Sequence, residues 1–379
     1  MKSNNKKILI FIDWFIPGYK AGGPIRSVLN LVQHLSERVS FYIVTGDRDL
    51  GDQMPYLNVV TNKWVHNSDY NIIYLPKKSQ TLNSFKKIFN EVNPDFIYLN
   101  SLFSFKFSII PLYSLKNLNA NIILSPRGML GGASLKIKSI KKNIFLFFAK
   151  LVRFYANVIW IASSEIEKQE IHSKFGNRAN VRLIPNLPIK QKELKLNYIN
   201  KIKGEINLLC ICSISPIKNI KFLINLIDKG DGKVKLSIAG PVEDSSYWME
   251  CLKIVKSLKG NVELNYLGEI NPDNIASLFE KNHLLISTSF NENYGHSIVE
   301  ALSFGCPVIV SNNTPWRKLS DFHAGNNLDL DAQLYVSKIQ DYAMMDSETF
   351  SKYRIGANEY FKKKIDLDIF KDNYIQAFS

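Results

Sequence analysis

Residues 283–311 read HLLISTSFNENYGHSIVEALSFGCPVIVS. The run HLLISTS is short, apolar and closed by a polar loop, which predicts a buried strand. A helix is predicted from about Gly295 through SIVEALSFG, and PVIVSN predicts a second buried strand. Strand, helix and strand in this order form the repeating unit of a parallel sheet. The loop between the first strand and the helix carries Glu292 at the strand's carboxyl end. Glu300 follows after seven intervening residues, one to two turns inside the helix. Gly295 lets the backbone approach a ligand closely. The free amides of Gly295, His296 and Ser297 then make an anion site at a helix N-terminus. A diphosphate held there would leave one carboxylate near a sugar and the other near a ribose diol.

The same alternation runs outward in both directions. Upstream, KILIFIDW, VSFYIVTG, YNIIYLP, DFIYLN, ANIILSPRG and ANVIWIASS predict buried strands, with helices over IRSVLNLVQHLSER and SQTLNSFKKIFNEV. The stretch NVRLIPNLPIKQKELKLNYINKIKGE loses apolar periodicity, which puts a boundary near residues 187–205. The pattern restarts with EINLLCICSIS and continues through VKLSIAG and VELNYLG, with helices over KNIKFLINLIDKG, SSYWMECLKIVKSLKG and NPDNIASLFEKN. The fold class is therefore α/β, with two doubly wound Rossmann-like domains, 1–190 and 200–360, and a ligand cleft between them at the strands' carboxyl ends. A length of 379 residues with 46% apolar side chains accommodates both.

The formal charge of +14 is unevenly spread. Residues 1–190 hold 26 Lys/Arg against 11 Asp/Glu (+15), and residues 191–379 hold 22 against 23 (−1). No acidic residue occurs from Phe96 to Ser164, where nine basic ones do. A uniformly basic nucleic-acid binder is excluded by this asymmetry. Cys210, Cys212, Cys251 and Cys306 fit neither a zinc knuckle nor a redox pair and read as reduced thiols of a cytoplasmic protein. The apolar run near the N-terminus is broken at Asp13, so neither a signal peptide nor a spanning helix is expected. His34, His66, His172, His283 and His323 share no metal-ligand spacing, so no metal and no cofactor is expected. Asp47, Asp49 and Asp52 read as solvated loop residues.

The segment 287–316 resembles the retaining glycosyltransferases of the GT-B fold known as group 1, or family 4. Their Glu-x7-Glu motif, followed by Ala and a Gly-x-Pro-Val-Ile stretch, is matched by Glu292, Glu300-Ala301 and Gly305-Cys306-Pro307-Val308-Ile309. The resemblance implies that Glu292 contacts the donor sugar and Glu300 the nucleotide ribose. It places Asn293, Tyr294, Gly295, His296 and Ser297 on the donor as well. Gly22-Gly23-Pro24 becomes the loop approaching donor phosphates and acceptor, with Arg26 on the helix behind it. Pro185-Asn186 resembles the family's Pro-Asn-Gly element, with Leu187 in place of the glycine. Gly240 and Gly268 mark turns beside the donor, the second on the segment whose backbone meets the nucleobase. Lys218 matches the family's lysine at the leaving diphosphate.

Two departures bear on activity. Ser213 stands where the family carries an arginine, so a positive charge is missing unless Arg127 or Arg26 supplies it. Asn100 and Ser101 stand where many relatives have a histidine, and neither is a general base at neutral pH. The family's retaining transfer is thought to let the leaving phosphate take the acceptor's proton, which leaves the protein an electrostatic and positional task. His296 either reaches the ligand or packs on Trp316.

Residues 131–160, GGASLKIKSIKKNIFLFFAKLVRFYANVIW, read as a helix carrying Lys136, Lys138, Lys141, Lys142, Lys150 and Arg153. Its aromatic stripe would bury on the sheet and leave the lysines solvated. An anionic membrane attracts a cationic face by about 1 kcal/mol per charge, so this segment is expected to dock on the cytoplasmic leaflet. The resulting expectation is a nucleotide-diphosphate-sugar donor, a glycan or lipid-linked acceptor, no nucleic acid, and surface polysaccharide assembly of the O-antigen or capsule kind at the inner membrane face. A catalytically silent sugar-nucleotide-binding subunit is the alternative, and a GT-B epimerase a more distant one. A helix pair is predicted over YFKKKIDLDIFKDNYIQAF, its last helix (about 360–379) crossing back to the first domain.

Overall fold

The computed structural model describes residues 5–136, 139–190, 199–271 and 274–379. The chain divides into two units, Met1–Lys190 with Leu367–Ser379, and Gln191–Asp366. In the first, eight strands run as β1 (Lys6–Phe11), β2 (Val39–Gly46), β3 (Trp64–His66), β4 (Asn71–Leu75), β5 (Phe96–Leu99), β6 (Asn121–Leu124), β7 (Val158–Ala162) and β8 (Val181–Leu183). Their order in the sheet is β3-β4-β2-β1-β5-β6-β7-β8. Every pairing is parallel except β3 with β4. A strand buried on both faces needs an unbroken apolar run, and β1 has one. Ile8 and Ile10 point to one face, Leu9 and Phe11 to the other, and all four are fully buried. On the Ile8 side lie Val28, Leu31 and Val32 of helix Gly23–Leu35 together with Tyr374, Ala377 and Phe378. On the Leu9 side lie Phe85, Ile88 and Phe89 of helix Leu82–Val92.

The second unit holds β9 (Glu205–Ile211), β10 (Lys233–Ala239), β11 (Val262–Tyr266), β12 (Leu284–Ser287), β13 (Val308–Ser311) and β14 (Gly325–Leu328), in the order β11-β10-β9-β12-β13-β14. All its pairings are parallel. The chain moves outward from β9 to β11, then returns to the other side of β9 with β12. Neighbouring strands whose connections leave in opposite directions open a crevice at their carboxyl ends. In this unit that crevice lies between the loops after β9 and β12. In the first unit the same reversal falls between β1 and β5.

One reading of the sequence is corrected, and two others gain detail. Residues 131–160 do not form one helix. Helical residues are Gly132–Lys136 and Ser139–Leu151, the second helix ends at Leu151, and Arg153 turns the chain with φ 50° before β7. Lys138 lies outside the described residues, as does the side chain of Lys136. The stretch that loses apolar periodicity opens with an unread strand, β8, and the buried Ile184 and Leu187, and the two units divide after Lys190, within the predicted boundary region. The predicted helix pair is present, and its first member is the end of an 18-residue helix, Ser347–Lys364, which is capped by Asp346 and belongs to the second unit. Only from Leu367 does the chain join the first unit.

Candidate active site

The loop after β9 closes in a single 3-10 turn, Pro216–Lys218, and Asn219 takes the left-handed conformation (φ 54°) that ends it. Two bonds fasten this turn to the loop leaving β12. The Thr288 hydroxyl donates to the Asn219 carbonyl at 3.1 Å, and the Phe290 amide donates to the Ile217 carbonyl at 2.8 Å. The Glu292 amide in turn donates to the Asn313 carbonyl at 3.0 Å, which fixes where its side chain starts. The consequence is an ion pair. Lys218 Nζ lies 2.5 Å from Glu292 Oε2, with the side chains 19% and 22% exposed. Burial is the largest effect and lowers the Lys218 pKa, but the Glu292 carboxylate, with smaller help from Cys212 and Glu243, more than offsets it and the net shift is upward. Lys218 is therefore a fixed ammonium at neutral pH.

Gly295 is needed where it stands. Its φ of 74° is left-handed, and a Cβ there would meet Ile298 Cδ1 at 2.8 Å and Glu292 Cγ at 3.2 Å. The residue caps helix His296–Ser303, whose first amides have no acceptor within the helix. Glu292 thus rests against the positive end of that helix, beside Lys218. Both polar atoms of the Asn293 amide are shielded from water and have no partner among the described residues. Leaving such a group unsatisfied costs about 1–3 kcal/mol, an expense a ligand's hydroxyl or phosphate would offset. Glu300 is 3% exposed, deeper in the same helix. The rings of His296 and Tyr294 are 4.9 Å apart, and Tyr294 lies between His296 and Trp316 in the ring series. Trp316 is fixed by its indole N–H, which donates to the Tyr294 carbonyl at 2.6 Å. Ser297 is half-buried on the first turn.

Gly240 ends β10 with φ 137°, where a Cβ would stand 2.0 Å from the Cys212 carbonyl oxygen and 3.4 Å from the Ser213 nitrogen. Its amide donates to the Gly268 carbonyl at 2.7 Å, and the Tyr266 hydroxyl donates to its carbonyl at 2.9 Å. Ser213, Gly240 and Gly268 therefore meet at adjoining strand ends. Gly268 is left-handed (φ 70°) with open space around its Cα.

In the first unit the predicted residues converge at the β1–β5 reversal. Gly22 caps helix Gly23–Leu35 with φ 61°. The Asn100 amide reaches the Pro24 carbonyl at 3.5 Å, while its Oδ1 accepts from Arg127 Nε at 2.7 Å. Arg127 also donates to Asn186 Oδ1 and, at 3.0 Å, to the Tyr98 hydroxyl. These acceptors are neutral, so the guanidinium is held in place without being cancelled by them. Arg26 is half-buried on the first turn of its helix.

Residue reading missed part of the frame. Asp47 and Asp49 are buried, not solvated. Asp49 accepts from the amides of Tyr19 at 2.8 Å and Lys20 at 3.1 Å, which orders the loop leading to Gly22. The clustering of three aspartates in a glycine-containing loop was the available signal. Tyr98 and Glu167 were also unread. Glu167 is fully buried and accepts from the Gly128 amide at 2.6 Å and the Ser163 amide at 2.7 Å, holding the turn that presents Arg127.

Comparison with known proteins bears on this geometry. Residues 191–320 match the family model described as glycosyl transferases group 1. An alpha-monoglucosyldiacylglycerol synthase of Streptococcus pneumoniae is 28% identical over 167 residues, which is 40% of this chain and 37% of that protein. The chain thus matches little more than a third of that curated relative's length. Among solved structures, Anabaena Alr3699/HepE in complex with UDP-glucose superposes with TM-score 0.71 at 15% identity, covering 98% of both chains. Sucrose-phosphate synthase from Thermosynechococcus elongatus gives 0.73 at 15% identity, covering 99% and 98%. WaaG, a glycosyltransferase involved in lipopolysaccharide biosynthesis, gives 0.65 at 13%, covering 98% and 99%. The two Rossmann-like units are those of GT-B glycosyltransferase structures, and at such identities the likeness speaks for the fold.

Proposed function

We propose that the protein is a retaining glycosyltransferase that moves a sugar from a nucleotide-diphosphate donor to a glycan or lipid-linked acceptor. The observation that carries the reading is the Lys218–Glu292 pair, set over the strand reversal of a segment that matches group 1 glycosyltransferases. The second unit binds the donor, with Lys218 and the first amides of helix His296–Ser303 at the diphosphate. Glu292 lies at the sugar, Glu300 toward the ribose, and Asn293 finds its missing partner on the ligand. The leaving phosphate accepts the acceptor hydroxyl's proton on the face it departs from, so neither a protein base nor a metal is required. Gly22, Gly23, Arg26, Asn100 and Arg127 of the first unit take the acceptor side, with Arg127 as the fixed cation there. A lipid acceptor is supported by the name of the pneumococcal relative, which describes a glucosylated diacylglycerol. The +15 of residues 1–190 fits work at the anionic inner face of the cell membrane, as in O-antigen or capsule assembly.

The test is nucleotide release from a panel of UDP-, GDP- and ADP-sugars, with and without lipid-linked acceptor, in the presence of EDTA. An active parent with inactive Glu292→Ala and Lys218→Ala variants, and a product of unchanged anomeric configuration, is expected. An inactive parent that still binds donor would make it a silent subunit. Conversion of the donor sugar without nucleotide release would make it an epimerase.

A further inference from the structure

Helix Ser139–Leu151 has more apolar surface than the fold uses. On its inner side Leu146 and Ala149 are buried, and Phe145 packs edge-on against Phe103 at 6.0 Å. Lys142 also turns inward, donating to the Ser134 carbonyl at 2.7 Å. Yet Ile140, Ile144, Phe147, Phe148 and Leu151, with Val152 just beyond, are 53–74% exposed. Spacings of three and four residues put these side chains on one ridge. The rings of Phe147 and Phe148 touch each other edge to face at 5.6 Å. The expectation that the aromatic stripe buries on the sheet is thus half wrong, because one side of the helix faces inward and another is left outside.

The surroundings specify what covers the ridge. Lys141, Lys150 and Arg153 are exposed beside it, and no acidic residue occurs from Phe96 to Ser164. At the helix's C-terminal end a pocket of about 300 Å³ is rimmed by Lys150, Arg153 and Arg178. Its walls include Tyr155, Trp160 and Phe175, and no acidic side chain lines it. A second copy of this chain would bring the same cations face to face across a twofold axis. An anionic lipid surface complements both features, since it offers acyl chains to the ridge and phosphates to the pocket. Thirteen helical residues span only about 20 Å, too short for a hydrocarbon core of about 30 Å.

We infer that helix Ser139–Leu151 lies in the plane of an anionic bilayer, its Ile140–Val152 ridge among the acyl chains and a lipid phosphate in the Lys150–Arg153–Arg178 pocket. This deepens the membrane part of the proposed function, replacing attraction to a surface by insertion into it, and asks nothing of the transfer reaction. Such in-plane helices combine a basic rim with bulky apolar side chains at the headgroup boundary.

The experiment is co-sedimentation of the full chain with phosphatidylcholine vesicles, with and without phosphatidylglycerol, at low and high salt. A Phe148→Trp variant in bromine-labelled vesicles reports depth. Binding should require phosphatidylglycerol, persist at high salt, and fall on the order of a hundredfold in Phe147→Ser/Phe148→Ser. The new tryptophan should be quenched by brominated acyl chains beyond the parent's own response. Because the two rings leave the fold's interior untouched, the thermal midpoint of the double variant should stay at the parent value. Binding that salt abolishes and the double variant leaves intact would overturn insertion while keeping electrostatic docking. No binding to any vesicle would overturn both, with donor turnover as a separate readout. A parent dimer that the double variant converts to monomer, without vesicle binding, would assign the ridge to a second copy.

Discussion

Replacing Glu292 by Gln should make the protein bind free UDP more tightly while ending its ability to transfer sugar. The carboxylate lies 2.5 Å from Lys218 Nζ. Two unit charges at that distance attract by about 2 kcal/mol in water and about 7 kcal/mol at an effective dielectric of 20. Side chains 19% and 22% exposed fall between those limits, and desolvation of both groups removes much of the gain. A net coupling of about 2–3 kcal/mol is reasonable for a pair of this burial. The amide keeps the shape and an acceptor for the lysine but removes the charge. Lys218, whose field Glu292 partly cancels, would then act more fully on a diphosphate. If half of the coupling is transferred to the ligand, UDP affinity rises by about 1.4 kcal/mol, or tenfold. Titration calorimetry at low salt measures this directly. Lys218→Gln should lose about tenfold, and the double variant should behave like Lys218→Gln alone, since there is no longer a lysine to release. Weaker or unchanged UDP binding in Glu292→Gln would refute the reasoning, because Lys218 would then not face the diphosphate.

Gly240→Ala should fail to give a stable second unit, costing more than about 3 kcal/mol, because its Cβ would meet the Cys212 carbonyl at 2.0 Å in a left-handed backbone; a urea melt followed by tryptophan fluorescence reports the loss. Arg127→Lys keeps the charge but cannot serve Asn100, Asn186 and Tyr98 together. It should lower the thermal stability of the first unit by about 2 kcal/mol. His283 provides a pH test. Burial, helped by nearby Lys201 and Arg354, pushes its imidazole down from 6.5 to about 4, and its Nδ1 accepts from the Asn207 amide at 2.9 Å. The unfolded chain therefore takes up the proton first. Stability is full above about pH 6.5 and declines as pH falls toward 4, by up to about 3 kcal/mol, a slope that His283→Gln should flatten.

The strands of both sheets were legible wherever an apolar run was buried on two faces. KILIF, VSFYIVTG and VKLSIA needed nothing beyond their own residues. The edge strand β11 was read from VELNYLG, but the edge strands β3, β8 and β14 were not, and GNNL shows why. β14 is polar because only one side of it is paired, and its asparagines are used by partners distant in sequence: Asn326 accepts from the Tyr342 hydroxyl and Asn327 donates to Asn312. The site divides in the same way. Glu292, Gly295 and Lys218 could be singled out by type and spacing, but the ion pair could not, since it depends on Thr288 and Phe290 fastening two loops about 70 residues apart in sequence. Arg127 was recognisable as an unusual cation in SPRGML, whereas its neutral acceptors come from two other chain segments, β5 with the residue after it and the stretch following β8. The aromatic stripe expected to bury over 131–160 did so only in part, because composition says which residues are apolar and not which side of a helix the protein covers.

The first unit is closed by Leu367–Ser379, whose Tyr374, Ala377 and Phe378 fill the layer under β1 and β5. Its Phe378 ring lies within 6.1–6.4 Å of Phe41, Phe96 and Tyr98. In the order of synthesis, the second unit is therefore an insertion between two pieces of the first. A ribosome adding roughly 5–20 residues per second needs on the order of ten to thirty-five seconds to pass from residue 190 to residue 367. Throughout that interval the first unit lacks the aromatic plug of its own core, while the second can already complete its sheet. The molecule must consequently finish folding in the reverse of the order in which its units begin to emerge, and the nascent first unit carries an open apolar face that a chaperone could occupy until the plug arrives.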